Sequence, residues 1–298
     1  MRQTRAGTAR YVAGLRDHLD ADIVEVSFPA TSRLRAVAAD VLWYPRLRAP
    51  RGADLLHCPT FRGPFRSRVP LVVTVHDLAV LRHPEWFNRW TASYSRVAVP
   101  RVVAAADRLI AVSEHTRREL AALLRVDDAK IRVVPNAVED AFMPDGPRGE
   151  GDYVLAVGTL EPRKNLARIA EAVEGELRVV GVPGWGGVRP PANVTWLGAV
   201  SDDELAALYR GARCLVYASL SEGFGIPVAE ALACGCPIVT SRGSAMEEIA
   251  GEEATYVDPT DVESIREGIN RAFAPTPRRI ASWHEVAART RAVYEELA

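Results

Sequence analysis

The feature that most constrains the fold is a repeated pairing of two patterns: a short run dense in Val, Ile and Leu, then a stretch with helical spacing. The runs lie at 23–28, 54–58, 71–75, 108–112 and 131–134, and again at 153–157, 177–180, 194–197, 214–217, 238–240 and 255–257. Most lack strict alternation of apolar and polar residues. A strand with one wet face alternates, whereas a strand covered on both faces, as in a parallel sheet, need not. Parallel neighbours need a crossover, usually a helix, and such crossovers are right-handed. The pattern therefore predicts an α/β chain with doubly wound sheets. Helices are expected at 8–19, 113–125, 165–174 and 202–209 among others.

The stretch 143–152, MPDGPRGEGD, is rich in Pro, Gly and charge and reads as a linker between two Rossmann-like halves. A length of 298 residues fits two domains, given roughly 100–200 residues for each. In open α/β sheets ligands bind at the carboxyl ends of strands, so two such sheets facing each other would form a cleft that holds the chemistry. The net charge of −1 gives no general attraction to nucleic acid, and none is expected as a partner. No apolar run approaches the ~18 residues of a membrane span, and the start, MRQTRAGTAR, has no apolar signal region. A cytoplasmic location is expected, with peripheral contact at the inner face of the membrane left open. Cys58, Cys214, Cys234 and Cys236 have no paired zinc spacing and are expected to be buried thiols.

The strongest chemical constellation is SEGFGIPVAE, Ser221 to Glu230, just after the 214–217 run. Gly223 and Gly225 form a loop, and Pro227 stands where a helix would begin, a position that favours proline. Free N–H groups and the positive end of a helix dipole suit an anionic group such as a diphosphate. Glu222 and Glu230 add carboxylates, which accept hydrogen bonds from sugar hydroxyls. The second constellation is VGTLEPRKNL, in which Arg163 and Lys164 follow a strand and precede a helix. Two cations there can clamp a phosphate. Lys130 and Lys164 are the only lysines in a chain whose other bases are arginine, so a lysine inside a motif carries weight. The third is VVTVHDL, which puts His76 at the carboxyl end of a strand; the fourth is a turn at Gly7 before a helix. Each also has a plain reading: a tight turn, a capped helix, a structural histidine. Their combination is what favours a binding site.

Together these residues resemble the retaining glycosyltransferases of family four, whose fold is GT-B: two Rossmann-like doubly wound domains facing across a cleft. The likeness runs over nearly the whole chain, through AGTARYVAGL, VHDL with LRHPEWF, ADRLIAVSEHT, VVPNAVEDAF, VGTLEPRKNL, SLSEGFGIPVAEALACGCPIV, SRGSAMEEIAG and the ending ASWHEVAARTRAVYEEL. It implies an acceptor-side domain at 1–145, a donor-binding domain at 151–280 and a closing helix at 281–298. It further implies that Arg163 and Lys164 bind the donor diphosphate and that Glu230 holds the ribose hydroxyls. Glu222, with the backbone of Gly223, Phe224, Gly225 and Ile226, would hold the transferred sugar; His76 would position it, and Gly7 would admit the phosphates. Thr159 stands where the family commonly has Arg, and Ala6-Gly7 where it has a glycine pair. Family members usually carry a strand before the glycine loop, and the expectation is that this chain lacks it.

The expected reaction moves a sugar from a nucleotide diphosphate donor, GDP- or UDP-linked, to an acceptor hydroxyl with retention of configuration. The acceptor would be a glycan, a lipid-linked sugar or a small molecule. No cofactor and no metal are expected, and the leaving phosphate would help deprotonate the acceptor. Two other readings stay open: an epimerase or phosphorylase on the same fold, and a truncated, inactive nucleotide-sugar-binding protein. A nicotinamide dehydrogenase is disfavoured, because no Gly-x-Gly-x-x-Gly turn follows a strand.

Overall fold

A computed structural model describes residues 7–28, 32–187 and 191–297. The chain divides into two compact units, one of Thr8–Pro135 with Trp283–Ala298 and one holding Asn136–Ser282.

The first unit contains four parallel strands, β1 (Leu56–Cys58), β2 (Leu71–Val75), β3 (Arg108–Ala111) and β4 (Ile131–Val133), in the order β1-β2-β3-β4. β2, LVVTV, is buried at every residue, as its β-branched, mostly apolar sequence without alternation predicts for a central strand covered on both faces. The helix Arg89–Ala105 starts at Asn88, whose side chain accepts the Thr91 N–H, and its Val99, Val102 and Val103 join the core of this sheet. The helix Trp283–Glu295 buries Trp283, Val286, Ala287, Thr290 and Val293 within the same unit.

The run at 23–28 is a correction. It reads as a strand but is irregular and exposed, with Val24 70% accessible. A strand exists only where a neighbour takes its backbone hydrogen bonds. Among the described residues the sheet ends at β1, and no strand pairs with 23–28. The expectation of an absent strand before Gly7 concerns residues 1–6, which lie outside the described residues.

The second unit contains β5 (Tyr153–Val157), β6 (Glu176–Val180), β7 (Thr195–Gly198), β8 (Cys214–Tyr217), β9 (Ile238–Ser241) and β10 (Thr255–Val257). All pair in parallel, in the order β10-β9-β8-β5-β6-β7. The chain runs outward from β5 to β7, returns to the other side of β5 as β8, and runs outward again to β10. The strand order therefore reverses between β5 and β8, and the loops leaving those two strands diverge. A crevice at such a switch point is where open α/β sheets bind ligands. Val154, Ala156, Val179, Val216 and Val239 of these strands share one core with Leu166 and Ile169 of the helix Leu166–Ala172.

The helix Asp202–Gly211 begins with a complete capping box between Ser201 and Glu204. The segment 143–152 is irregular; Arg210 of that helix donates to the Pro147 carbonyl at 2.7 Å and the Met143 carbonyl at 3.0 Å. All four cysteines are buried free thiols. Among the described residues no helix is long and apolar enough to cross a membrane.

Candidate functional site

The loops leaving β5 and β8 meet at the switch point of the second unit. After β5, residues Pro162–Lys164 form a single 3-10 turn, and Asn165 follows with φ 59° before the helix Leu166–Ala172. Asn165 is buried, and its side-chain amide donates to the Ala218 carbonyl at 3.0 Å and the Pro259 carbonyl at 2.6 Å. It thus ties the turn to the loops that leave β8 and β10. The Leu220 N–H donates to the Arg163 carbonyl at 2.8 Å and closes the same junction.

After β8, the chain bends through Ser221 and enters the helix Ile226–Cys234 at Gly225, which has φ 87°. A side chain there would be strained in that conformation, and its Cβ would lie 2.9 Å from Met246 Cγ. Gly223, Phe224 and Gly225 are buried and Ile226 is half-buried. This helix start is apolar and closely packed, so its sequence serves both the core and the loop.

These two loops bring together residues about sixty positions apart. Glu222 accepts from Arg163 Nη1 at 2.5 Å and from Lys164 Nζ at 2.6 Å. Arg163 also pairs with Glu161 at 2.6 Å and donates to the Ser221 carbonyl at 3.0 Å. Tyr217, the last residue of β8, donates its O–H to Glu222 Oε1 at 3.0 Å and accepts from the Lys164 ammonium, which also lies 4.6 Å from the centre of its ring. Two carboxylates and two cations thus form a nearly enclosed, charge-balanced cluster. Beside it is a small, partly open recess lined by Gly158, Thr159, Lys164, Tyr217 and apolar residues of β5, β6, β8 and the helix Leu166–Ala172.

Burial alone would raise the Glu222 carboxyl, but Arg163 and Lys164 together overcome it and hold the group down at about 2. The Lys164 ammonium is moved down as well, because its burial outweighs the attraction of Glu222. Burial and the nearby Glu222 charge push the Tyr217 phenol well up, so it keeps its proton and can donate. Glu222 is therefore an acceptor.

Glu230 stands on the helix Ile226–Cys234, is 2% exposed, and accepts from the Tyr209 hydroxyl at 2.9 Å. Gly7 is the first residue of the helix Gly7–His18. His76 follows β2 in the first unit and is half-buried; its Nε2 bonds the Pro59 carbonyl at 3.0 Å. That bond makes Nε2 the protonated nitrogen and leaves Nδ1 as the acceptor. The Tyr11 ring meets His76 edge-on at 4.9 Å. Burial lowers the His76 imidazole below its ordinary value.

Tyr217, Glu161 and Tyr209 belong to this chemistry and were not singled out by motif. Tyr217 and Glu161 had a usable signal, since both stand at or just beyond the carboxyl end of a strand. Tyr209 had none, because it acts from the buried face of a helix, where a tyrosine reads as core.

Behind His76 is a second polar group of the first unit. His57 on β1 bonds Thr74 Oγ1 at 2.8 Å through Nε2 and the Tyr294 hydroxyl at 2.6 Å through Nδ1, and Tyr11 bonds the same Thr74 oxygen at 3.0 Å. Burial, aided by His76, lowers His57 from 6.5 to about 4. Below 6.5 the unfolded chain takes up a proton that the folded chain refuses until about pH 4, so stability falls as pH drops through that window. His57→Asn is expected to remove about 2 kcal/mol of this acid sensitivity. Urea unfolding between those pH values checks it; an unchanged slope against pH refutes it.

Residues 188–281 match the family described as glycosyl transferases group 1. Residues 6–142 match the family described as glycosyltransferase family 4. The chain is 29% identical over 280 residues to O-antigen chain mannosyltransferase B of Escherichia coli, covering 83% of this chain and 72% of that one. It is 29% identical over 290 residues to the O-antigen chain mannosyltransferase RfbU of Salmonella typhimurium, covering 87% and 77%. In three dimensions it resembles the sucrose-phosphate synthase of Thermosynechococcus elongatus, with TM-score 0.59, 20% identity and coverage of 94% and 78%. It also resembles Anabaena HepE solved with UDP-glucose, with TM-score 0.57, 18% identity and coverage of 82% and 74%.

Proposed function

We propose that this chain, which belongs to the GT-B glycosyltransferases of group 1, transfers its sugar with retention of configuration and holds the donor diphosphate on Arg163 and Lys164. The observation that carries the reading is the convergence of these two cations at the β5–β8 switch point, beside a small, partly open recess. A cation pair neutralised by a carboxylate is a ready exchange site. A diphosphate brings negative charge in a stronger form and can take over the guanidinium and ammonium from Glu222.

As the sugar–phosphate bond weakens, negative charge grows on the leaving diphosphate. Fixed cations in a site of low dielectric stabilise that charge more than they stabilise the bound donor, and this lowers the barrier. Glu222, relieved of its cations, becomes an acceptor for hydroxyls of the transferred sugar. Gly223, Phe224, Gly225 and Ile226 would supply backbone contacts to that sugar, and Glu230 would bind the ribose hydroxyls. His76, neutral with Nδ1 free to accept, would position a sugar hydroxyl, and Gly7 would border the phosphates. A front-face reaction, with the acceptor hydroxyl attacking from the side the phosphate leaves and the leaving phosphate taking its proton, accounts for retention without a carboxylate nucleophile. The two mannosyltransferase relatives make a mannosyl group, on GDP or UDP, the first donor to try. Their O-antigen chains support a glycan or lipid-linked acceptor, which would bring the chain to a membrane surface.

The test is calorimetric titration with GDP, UDP and ADP, beside Glu230→Ala, followed by proton NMR of the transferred sugar. One nucleotide should bind selectively and lose at least about tenfold in affinity in the variant, as loss of a charge-assisted hydrogen bond requires. The new linkage should keep the donor's anomeric configuration. Equal affinity for all three nucleotides, or an inverted product, sinks the reading.

A further inference from the structure

Tyr217 is in contact with both members of the central ion pair and has no place in the function described above. Its ring is buried at the end of β8, and its hydroxyl stands between the Lys164 ammonium and Glu222 Oε1. The groups that face Glu222 are Arg163 and Lys164, with Glu161 beside Arg163, from the turn after β5, and Tyr217 from β8. Of these, only Tyr217 donates to Glu222 without carrying a charge that a diphosphate would draw away.

We propose that Tyr217 is a positioning residue that keeps Glu222 ionised and aimed when the donor diphosphate takes Arg163 and Lys164 from it. The inference rests on the donor-site reading given above. Its physical basis is an asymmetry in what ligand binding removes. Without nucleotide, Glu222 has two cations and one neutral donor. With the cations turned to phosphate, it would stand as a buried carboxylate, and such a group takes up a proton unless something else stabilises its charge. A protonated Glu222 would be a poorer acceptor for sugar hydroxyls. The Tyr217 O–H, rigidly placed by a strand end and not attracted to phosphate as a cation is, supplies the remaining stabilisation. Lys164 also donates to the Tyr217 oxygen, so the hydroxyl hydrogen is directed away from the ammonium and toward the carboxylate.

The consequence is read in protons. GDP and UDP are titrated calorimetrically at pH 5 in two buffers of different ionisation enthalpy, which gives the protons taken up with each nucleotide bound. Tyr217→Phe removes one oxygen and keeps the ring. It is expected to take up about half a proton more per nucleotide than the unmodified chain, as a shift of about one pH unit in the bound carboxyl requires. In a Glu222→Gln background, the same Tyr217→Phe change should add nothing. A purely structural role for the ring would lower the melting temperature and leave the proton count alone. Equal proton uptake with and without the hydroxyl, in a chain that binds nucleotide, overturns this inference and leaves the donor site standing. Extra uptake that persists in the Glu222→Gln background overturns it too, by assigning the proton elsewhere. If the unmodified chain binds neither nucleotide, the donor-site reading itself falls and takes the inference with it.

Discussion

Lys164→Ala is expected to lower donor turnover by about a hundred- to a thousandfold, the loss typical when one fixed group that stabilises transition-state charge is removed. The residue meets three requirements at once. It stands in the turn that follows β5, its ammonium lies 2.6 Å from Glu222, and it lines the small recess. A second, separable effect follows from the ligand-free cluster. Removing the ammonium leaves Glu222 with Arg163 and Tyr217 only. Loss of one partner of a buried pair costs several kcal/mol when no other partner remains; with Arg163 in place the expected cost is about 1–2 kcal/mol. The carboxyl should also rise from about 2. Stability that Glu222 contributes is present above the ordinary value of 4.5 and lost as pH falls toward 2, so the variant should unfold in acid at a higher pH. Initial rates with excess donor, together with melts at pH 7 and pH 3.5, separate the two effects. A drop in melting temperature with turnover unchanged would remove Lys164 from the chemistry.

Gly181→Ala should cost about 3 kcal/mol or more and lower the unfolding midpoint by about 6–12 °C, the upper range for a single methyl forced into a packed site. The position follows β6, where Gly181 N–H donates to the Gly198 carbonyl at 2.9 Å and Gly158 N–H donates to the Val180 carbonyl at 2.9 Å. Those bonds draw two backbones together beside the switch point. A Cβ on Gly181 would fall 1.9 Å from the Gly158 oxygen and 2.8 Å from its carbonyl carbon. Both obstacles are backbone and cannot swing aside. Gly181 is not among the residues of positive φ, so contact rather than conformation demands a glycine. Gly175 is the control: its φ is 98° and nothing lies within 4 Å of a Cβ there, so Gly175→Ala should cost only strain, about 1 kcal/mol. Nucleotide affinity should fall with Gly181→Ala and stay unchanged with Gly175→Ala, because Gly158 borders the recess. Equal melting temperatures for the two variants would contradict the contact.

Ten of the eleven apolar runs are strands, and the reason they were legible is local. Residues such as Leu71–Val75 are branched, mostly apolar and show no strict alternation, and that composition suits a strand covered on both faces wherever it lies in the sheet. The run at 23–28 carries the same composition and is exposed coil, because pairing is a property of two segments. The motif residues were legible for a related reason. Strand, glycine loop and helix start follow one another within a few residues, so the placing of Glu222, Gly225 and Arg163 in loops at strand ends needs no long-range information.

By itself, then, the chain's order of residues determined the class of fold, the strands and the loops that carry the charged groups, since each depends on neighbours in sequence. Only the tertiary structure decided that β8 pairs with β5, and so that Glu222 lies between Arg163 and Lys164 across a separation of 58 and 59 residues. Only it decided that Tyr217 faces that ion pair while Tyr209 faces Glu230. Those choices turn on which strand edges meet and which side chains are enclosed together, and such long-range pairing and burial are set by the whole packed sheet and cannot be read from any one stretch of it.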